Sequence, residues 1–110
     1  GFAVGRIAAV APQAGAFHPI YALGSAGAAE ALEALDPSGL DAVVLLGTGM
    51  PSLGTILARP RLGRAPVLSC MLALAWRACL AAERREPDPT GLLEWISGAD
   101  WSPRYHARMG

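Results

Sequence analysis

The stretch "DAVVLLGTGMPSLGTIL", residues 41–57, constrains the fold more than any other part of the chain. Residues 41–46, Asp-Ala-Val-Val-Leu-Leu, form a short apolar run, which reads as a strand covered on both faces, as in a parallel sheet. Gly47-Thr48-Gly49-Met50 then turns the chain, and Pro51 fits the first turn of a helix with its body at 53–58. A strand that passes through a glycine turn into a helix is half of a parallel crossover unit.

The same grammar recurs on both sides. Arg6-Ile7-Ala8-Ala9-Val10-Ala11 is an apolar run closed by Pro12, and reads as a first strand. Residues 12–24, "PQAGAFHPIYALG", read as an irregular loop, after which Ser25 offers an N-cap and "AGAAEALEAL" repeats Ala and Leu at helical spacing up to Leu35. Asp36-Pro37-Ser38-Gly39 breaks that helix. "RPRLGR" ends the helix at 53–58, Pro66-Val67-Leu68-Ser69-Cys70 reads as a third strand, and residues 72–84 make a long Ala/Leu helix ending in "ERR". "EPDPTG" is a loop, Thr90 can cap a last short helix over 91–97, and the tail reads as irregular. Three alternating strand–helix units predict an α/β fold: a parallel sheet with helices on both faces, three layers in all. Residues 1–110 make a single domain, in which 87–110 is a terminal helix with its tail.

Composition bounds the function. With 110 residues and 53% apolar content the chain can bury one core. Nine basic residues balance nine acidic ones, so no basic stripe marks a nucleic-acid binder. All nine are Arg, and the absence of lysine excludes Schiff-base chemistry and a lysine phosphate loop on this chain. Cys70 and Cys79 are too few for a disulfide scaffold and read as free thiols in a reducing cytosol. No apolar run reaches a membrane-spanning length, because Arg77 interrupts the longest, and no signal peptide is visible. The expectation is a cytoplasmic protein without membrane or nucleic-acid partners.

In parallel sheets ligands sit beyond the carboxyl ends of the strands. Residues 11–24, 47–52 and 69–72 are expected to meet there. In the Gly47–Met50 turn, free N–H groups and a helix start would suit a carboxylate or an oxyanion, with the Thr48 hydroxyl as a further donor. A tight strand-to-helix corner needs the same glycines on steric grounds alone. Cys70, at the end of the third strand, could act as base or nucleophile, but between Leu68 and Met71 it reads first as a buried small hydrophobe. Cys79 reads as packing. His18 lies in the long loop at the ligand edge and could touch a substrate; a lone loop histidine is more commonly a surface residue. Two isolated His without clustered Cys or carboxylates give no metal site. Glu30, Glu33, Glu83 and Glu86 read as solvated, and Trp76, Trp95 and Trp101 as anchors of the terminal helices.

The order "DAVVLLGTGMPSLGTIL" then "APVLSCMLALAW" resembles the C-terminal part of the aspartate/glutamate/hydantoin racemase superfamily, on its maleate isomerase and arylmalonate decarboxylase side. There a strand of the form D-[AG]-[IV]-[LV]-[IL] enters a short turn bearing Cys. A helix follows, then P-V-[VL]-S-[SA], then a helix with a Trp several residues in. Pro66-Val67-Leu68-Ser69-Cys70 and Trp76 occupy the matching places, and the likeness spans about residues 22–80.

The resemblance implies a cofactor-independent racemase, isomerase or decarboxylase acting on a small (di)carboxylic acid held between two pseudo-symmetric lobes. It puts the usual cysteine position on Thr48, neighbouring amides on Gly47, Gly49 and Met50, and a substrate-contacting hydroxyl on Ser69. Threonine does not replace a thiol, because its hydroxyl does not ionise near neutrality without a strong base. The working thiol would then be Cys70 or one in a missing N-terminal lobe. On this reading the chain is most of the C-terminal lobe of a protein roughly twice as long, and homo-oligomerisation is left open. The alternatives are a non-catalytic carboxylate-binding protein and a generic α/β module that binds a ligand or partner.

Overall fold

A computed structural model describes residues 1–10, 25–47, 50–96 and 101–109. Helix α1 spans Ser25–Ala34, strand β1 Val43–Leu45, helix α2 Leu53–Ala58, strands β2 and β3 Arg61–Leu62 and Ala65–Ser69, and helices α3, α4 and α5 Cys70–Ala82, Gly91–Ile96 and Ser102–Met109. Among the described residues the sheet has three strands in the order β1-β3-β2. The β1–β3 pair is parallel, with Val43 opposite Val67, Val44 opposite Leu68 and Leu45 opposite Ser69. The β2–β3 pair is antiparallel. The fold is α/β as the sequence predicts, but the sheet is mixed.

The antiparallel strand corrects the expectation that "RPRLGR" only terminates a helix. Leu62 faces Ala65 across two residues, Gly63 and Arg64, and Gly63 has φ +60°. A positive φ at the first central residue is what a type II′ hairpin turn requires, and glycine adopts it without a Cβ clash. Pro66 sits in this hairpin without breaking it. Backbone N–H groups alternate in direction along a strand, and that of Val67 donates toward β2, to the Pro60 carbonyl at 2.9 Å. The N–H missing at Pro66 is therefore one that β2 would not have used.

The core lies on one face of the sheet. Val43 and Leu45 of β1 and Ala65 and Val67 of β3 are buried with Ala28 and Leu32 of α1, Ile56 of α2, Leu72 of α3 and Ile96 of α4. Leu32, Ile56 and Val67 are the largest fully buried side chains. Each contributes about 1.5–3 kcal/mol relative to exposure. The second face carries Val44 and Leu68, neighbours by register. Leu68 is half-buried, and Val44 is 52% exposed.

Three further expectations are corrected. Residues 6–10 form no ladder: they lie exposed or half-exposed without strand assignment, held where Arg6 donates to the Ser38 carbonyl at 2.8 Å. A strand needs a partner, which an apolar run cannot supply by itself. The tail is not irregular, since α5 occupies Ser102–Met109, with Pro103 in the first turn, where its missing N–H costs nothing. Helix α3 begins at Cys70, two residues before the position read from the sequence. The tryptophans act as expected. Trp76 lies against Gly91, and the Trp101 indole N–H donates to the Trp95 carbonyl at 2.7 Å. The rings of Trp95 and Trp101 are 4.9 Å apart.

Candidate functional site

The site is built by register. Leu45, the last residue of β1, faces Ser69, the last of β3, in a parallel pair. Both strands therefore end at the same edge, and paired strands lie about 4.8 Å apart. Gly47 follows two residues after Leu45, and Cys70 one residue after Ser69. Of the three segments expected at this edge, two are brought together. Residues 11–24, with His18, lie outside the described residues, as do Thr48 and Gly49.

Gly47 has φ +100°, a backbone conformation that side-chain-bearing residues rarely adopt. Met50, on the far side of Thr48 and Gly49 in the chain, has its side chain buried in the core. Helix α2 that follows has six residues, and Ser52 makes no side-chain cap bond, so the dipole behind this turn is short.

The stronger helix start is next door. Ser69 is buried at φ −139°, ψ 157°, and its Oγ accepts the Leu72 N–H at 3.1 Å. This is the N-cap of α3, thirteen residues long. The hydroxyl expected to touch substrate is thus committed through its oxygen to the helix, although its own proton remains a donor. Capping by Ser69 satisfies one of the orphan N–H groups at the start of α3, and those of Cys70 and Met71 have no acceptor within the helix itself.

Cys70 itself is exposed, as is Cys79. Both were expected to be buried, and the correction has one cause. Helix α3 is apolar on most of its circumference, but the described elements cover only the side bearing Leu72 and Leu80. For Cys70 the outcome is chemical, because it puts an accessible thiol on the first residue of the longest helix. Glu30, Glu33, Glu83 and Glu86 are exposed, as the sequence predicts. Among the described residues no group of three or more His, Cys, Asp or Glu could hold a metal ion.

Among the described residues two carboxylates are shifted, and neither is at this edge. The Ser38 hydroxyl and backbone N–H, both donating to Asp36, hold its carboxyl below the usual value, with Arg6 at 3.6 Å adding to the effect. The Thr90 hydroxyl and N–H do the same to Asp88. Both are loop-closing turns in which a carboxylate accepts bonds from a residue two positions on.

A depression of about 320 Å³ lies elsewhere, at the carboxyl end of α3, lined by Arg77, Arg84, Arg85, Glu86 and Pro87 with Leu80 and Ala81. It is about 18 Å of helix away from Cys70. Arg84 has φ +55°, and Arg85 pairs with Glu83 at 3.1 Å. In the sequence "ERR" reads as the end of the helix, and its two arginines line this depression.

No family model, curated protein or solved structure matches the chain.

Proposed function

We propose that the edge formed by the Gly47–Met50 turn and Ser69-Cys70 binds a small carboxylic acid, and that the protein acts on it without a cofactor, as a racemase, isomerase or decarboxylase of the kind the sequence resembles. The observation that supports this reading is the register Leu45–Ser69, which brings the strand ends before Gly47 and before the capped start of α3 to one sheet edge. Amide N–H groups at such a place favour a negatively charged oxygen through their own partial charge and the helix dipole. Cys70 is the thiol, within the first turn of α3, and Thr48 stands where the resemblance puts a cysteine. In the full reading a second, pseudo-symmetric lobe faces this edge and closes it over the substrate.

A non-catalytic carboxylate-binding role is the second reading. The Ser69 oxygen is used by the cap, which leaves its hydroxyl as a donor suited to holding a carboxylate rather than as a base. Calorimetry with maleate and malate tests the common part: heat of binding is expected, and its absence across a panel of small diacids overturns both readings. Cys70→Ser then separates them. Loss of turnover with binding intact is expected, and unchanged turnover removes Cys70 from the mechanism.

A further inference from the structure

The carboxyl end of α3 is closed by its own backbone. The Arg85 N–H donates to the Leu80 carbonyl at 2.9 Å and the Arg84 N–H to the Ala81 carbonyl at 3.2 Å, on either side of the C-cap Glu83. These are the paired bonds of a Schellman closure. The residue after the cap in such a closure takes a left-handed conformation and is usually glycine. Here it is Arg84, at φ +55°.

Basic side chains near a helix end often bond its last carbonyls. Arg77 and Arg84 do not: among the described residues neither side chain has a hydrogen bond or an ion pair. Arg85 is held by Glu83 at 3.1 Å. Two guanidiniums, charged at any ordinary pH, are thus left without a partner at one end of one helix.

Both line the same depression, together with Arg85. Its volume, about 320 Å³, is at the lower end of the roughly 300–1,000 Å³ typical of small-ligand clefts. The lining comes from residues 77–87 alone, a continuous and fully described stretch, so α3 and its closure make the walls by themselves. Glu86 is the one acid in that lining, against three arginines, and Ala81 and Pro87 add apolar surface.

The count of charges and oxygens selects the ligand. One carboxylate brings a single charge and two oxygens, which one guanidinium fork satisfies. A phosphate group near neutral pH carries about −1.5 to −2 charge on three acceptor oxygens, enough to engage two forks at once. We propose that this depression binds a phosphate dianion, free or as a small ester, between Arg77 and Arg84. The site is about 18 Å of helix away from Cys70, so it stands or falls independently of the carboxylate-binding edge.

Titration of the isotope-labelled chain with phenyl phosphate, inorganic phosphate and benzoate, read at the arginine Nε–H resonances, tests this. Saturable shifts are expected at Arg77 and Arg84 with both phosphates, with benzoate about tenfold weaker or more. Tighter binding of phenyl phosphate assigns the site to an ester, and tighter binding of inorganic phosphate to the free ion. Arg77→Gln is expected to weaken phosphate binding about fivefold or more, while the same charge change at Arg64→Gln, on the β2–β3 hairpin, leaves it within about twofold. Arg84→Gly separates binding from folding, because glycine suits the left-handed position: Tm is expected to hold or rise while phosphate binding weakens about as much as in Arg77→Gln. Absence of shifts at the two arginines overturns the proposal. So does benzoate that binds as tightly as phosphate, or an Arg84→Gly chain that binds phosphate as the wild type does.

Discussion

Replacing Ser69 by Ala probes the residue on which the candidate site is built. The substitution removes one oxygen, leaves β3 its backbone, and takes away the acceptor of the Leu72 N–H. Loss of a serine N-cap costs about 1 kcal/mol, within a range of about 0.5–2. Two features put Ser69 in the upper half of that range. Its side chain is buried, and Leu72 is buried as well, so water cannot readily take over the freed N–H. A loss of about 1–2 kcal/mol corresponds to a fall in Tm of roughly 5–15 °C for a chain of this size. Thermal unfolding followed at the helical far-UV band reads it directly, with Ser52→Ala as a control, since Ser52 makes no side-chain cap bond. If Ser69→Ala melts within about 2 °C of the wild type, the cap is not holding the start of α3. Cys70 would then not be fixed at the edge.

Further consequences follow from the packing and from the carboxylate turns. Leu32→Ala leaves a cavity at a side chain 1% exposed and is expected to destabilise by about 2–5 kcal/mol, measured by urea unfolding; a change under about 1 kcal/mol would mean that α1 is not packed on the sheet. Cys70 and Cys79 are both expected to react with Ellman's reagent in the native protein at rates near those of the unfolded chain, and protection of either until denaturant is added would contradict its exposure. Asp36 and Asp88 have lowered pKa values when folded, so the unfolded chain takes up protons at higher pH than the folded one. Their contribution is therefore present above the ordinary carboxylate range and is lost as pH falls through the folded values. Tm is expected to drop on acidification below about pH 4, and the double variant Asp36→Ala, Asp88→Ala should flatten that profile. An unchanged profile would show that the Ser38 and Thr90 bonds do not persist in solution.

What the sequence disclosed and what it concealed divide along physical lines. β1, α2 and β3 are legible because apolar runs bounded by glycine and proline carry a local signal. The parallel direction of β1 and β3 follows from the crossover logic of those same segments, while the register that joins Leu45 to Ser69 carries no signal in the sequence and is set by packing. The strand expected at 6–11 fails for the opposite reason: a run such as Ile7-Ala8-Ala9-Val10 has the composition of a strand, but pairing belongs to a partner. Strand β2 was hidden by its two-residue length, although Gly63 followed by one residue before Ala65 is a hairpin signal. Ser102-Pro103 is likewise a helix-start signal in a tail read as irregular. The exposure of Cys70 and Cys79 could not be seen in an Ala- and Leu-rich helix, because composition reports what can be buried and the neighbours decide what is.

Amide chemical-shift mapping with maleate tests the central claim that two adjacent strand ends form one anion-holding edge. Saturable shifts are expected at the backbone N–H groups of Gly47, Met50, Cys70 and Met71 together, with a single affinity. Shifts confined to the arginines at the far end of α3, or none at those four amides, would contradict it.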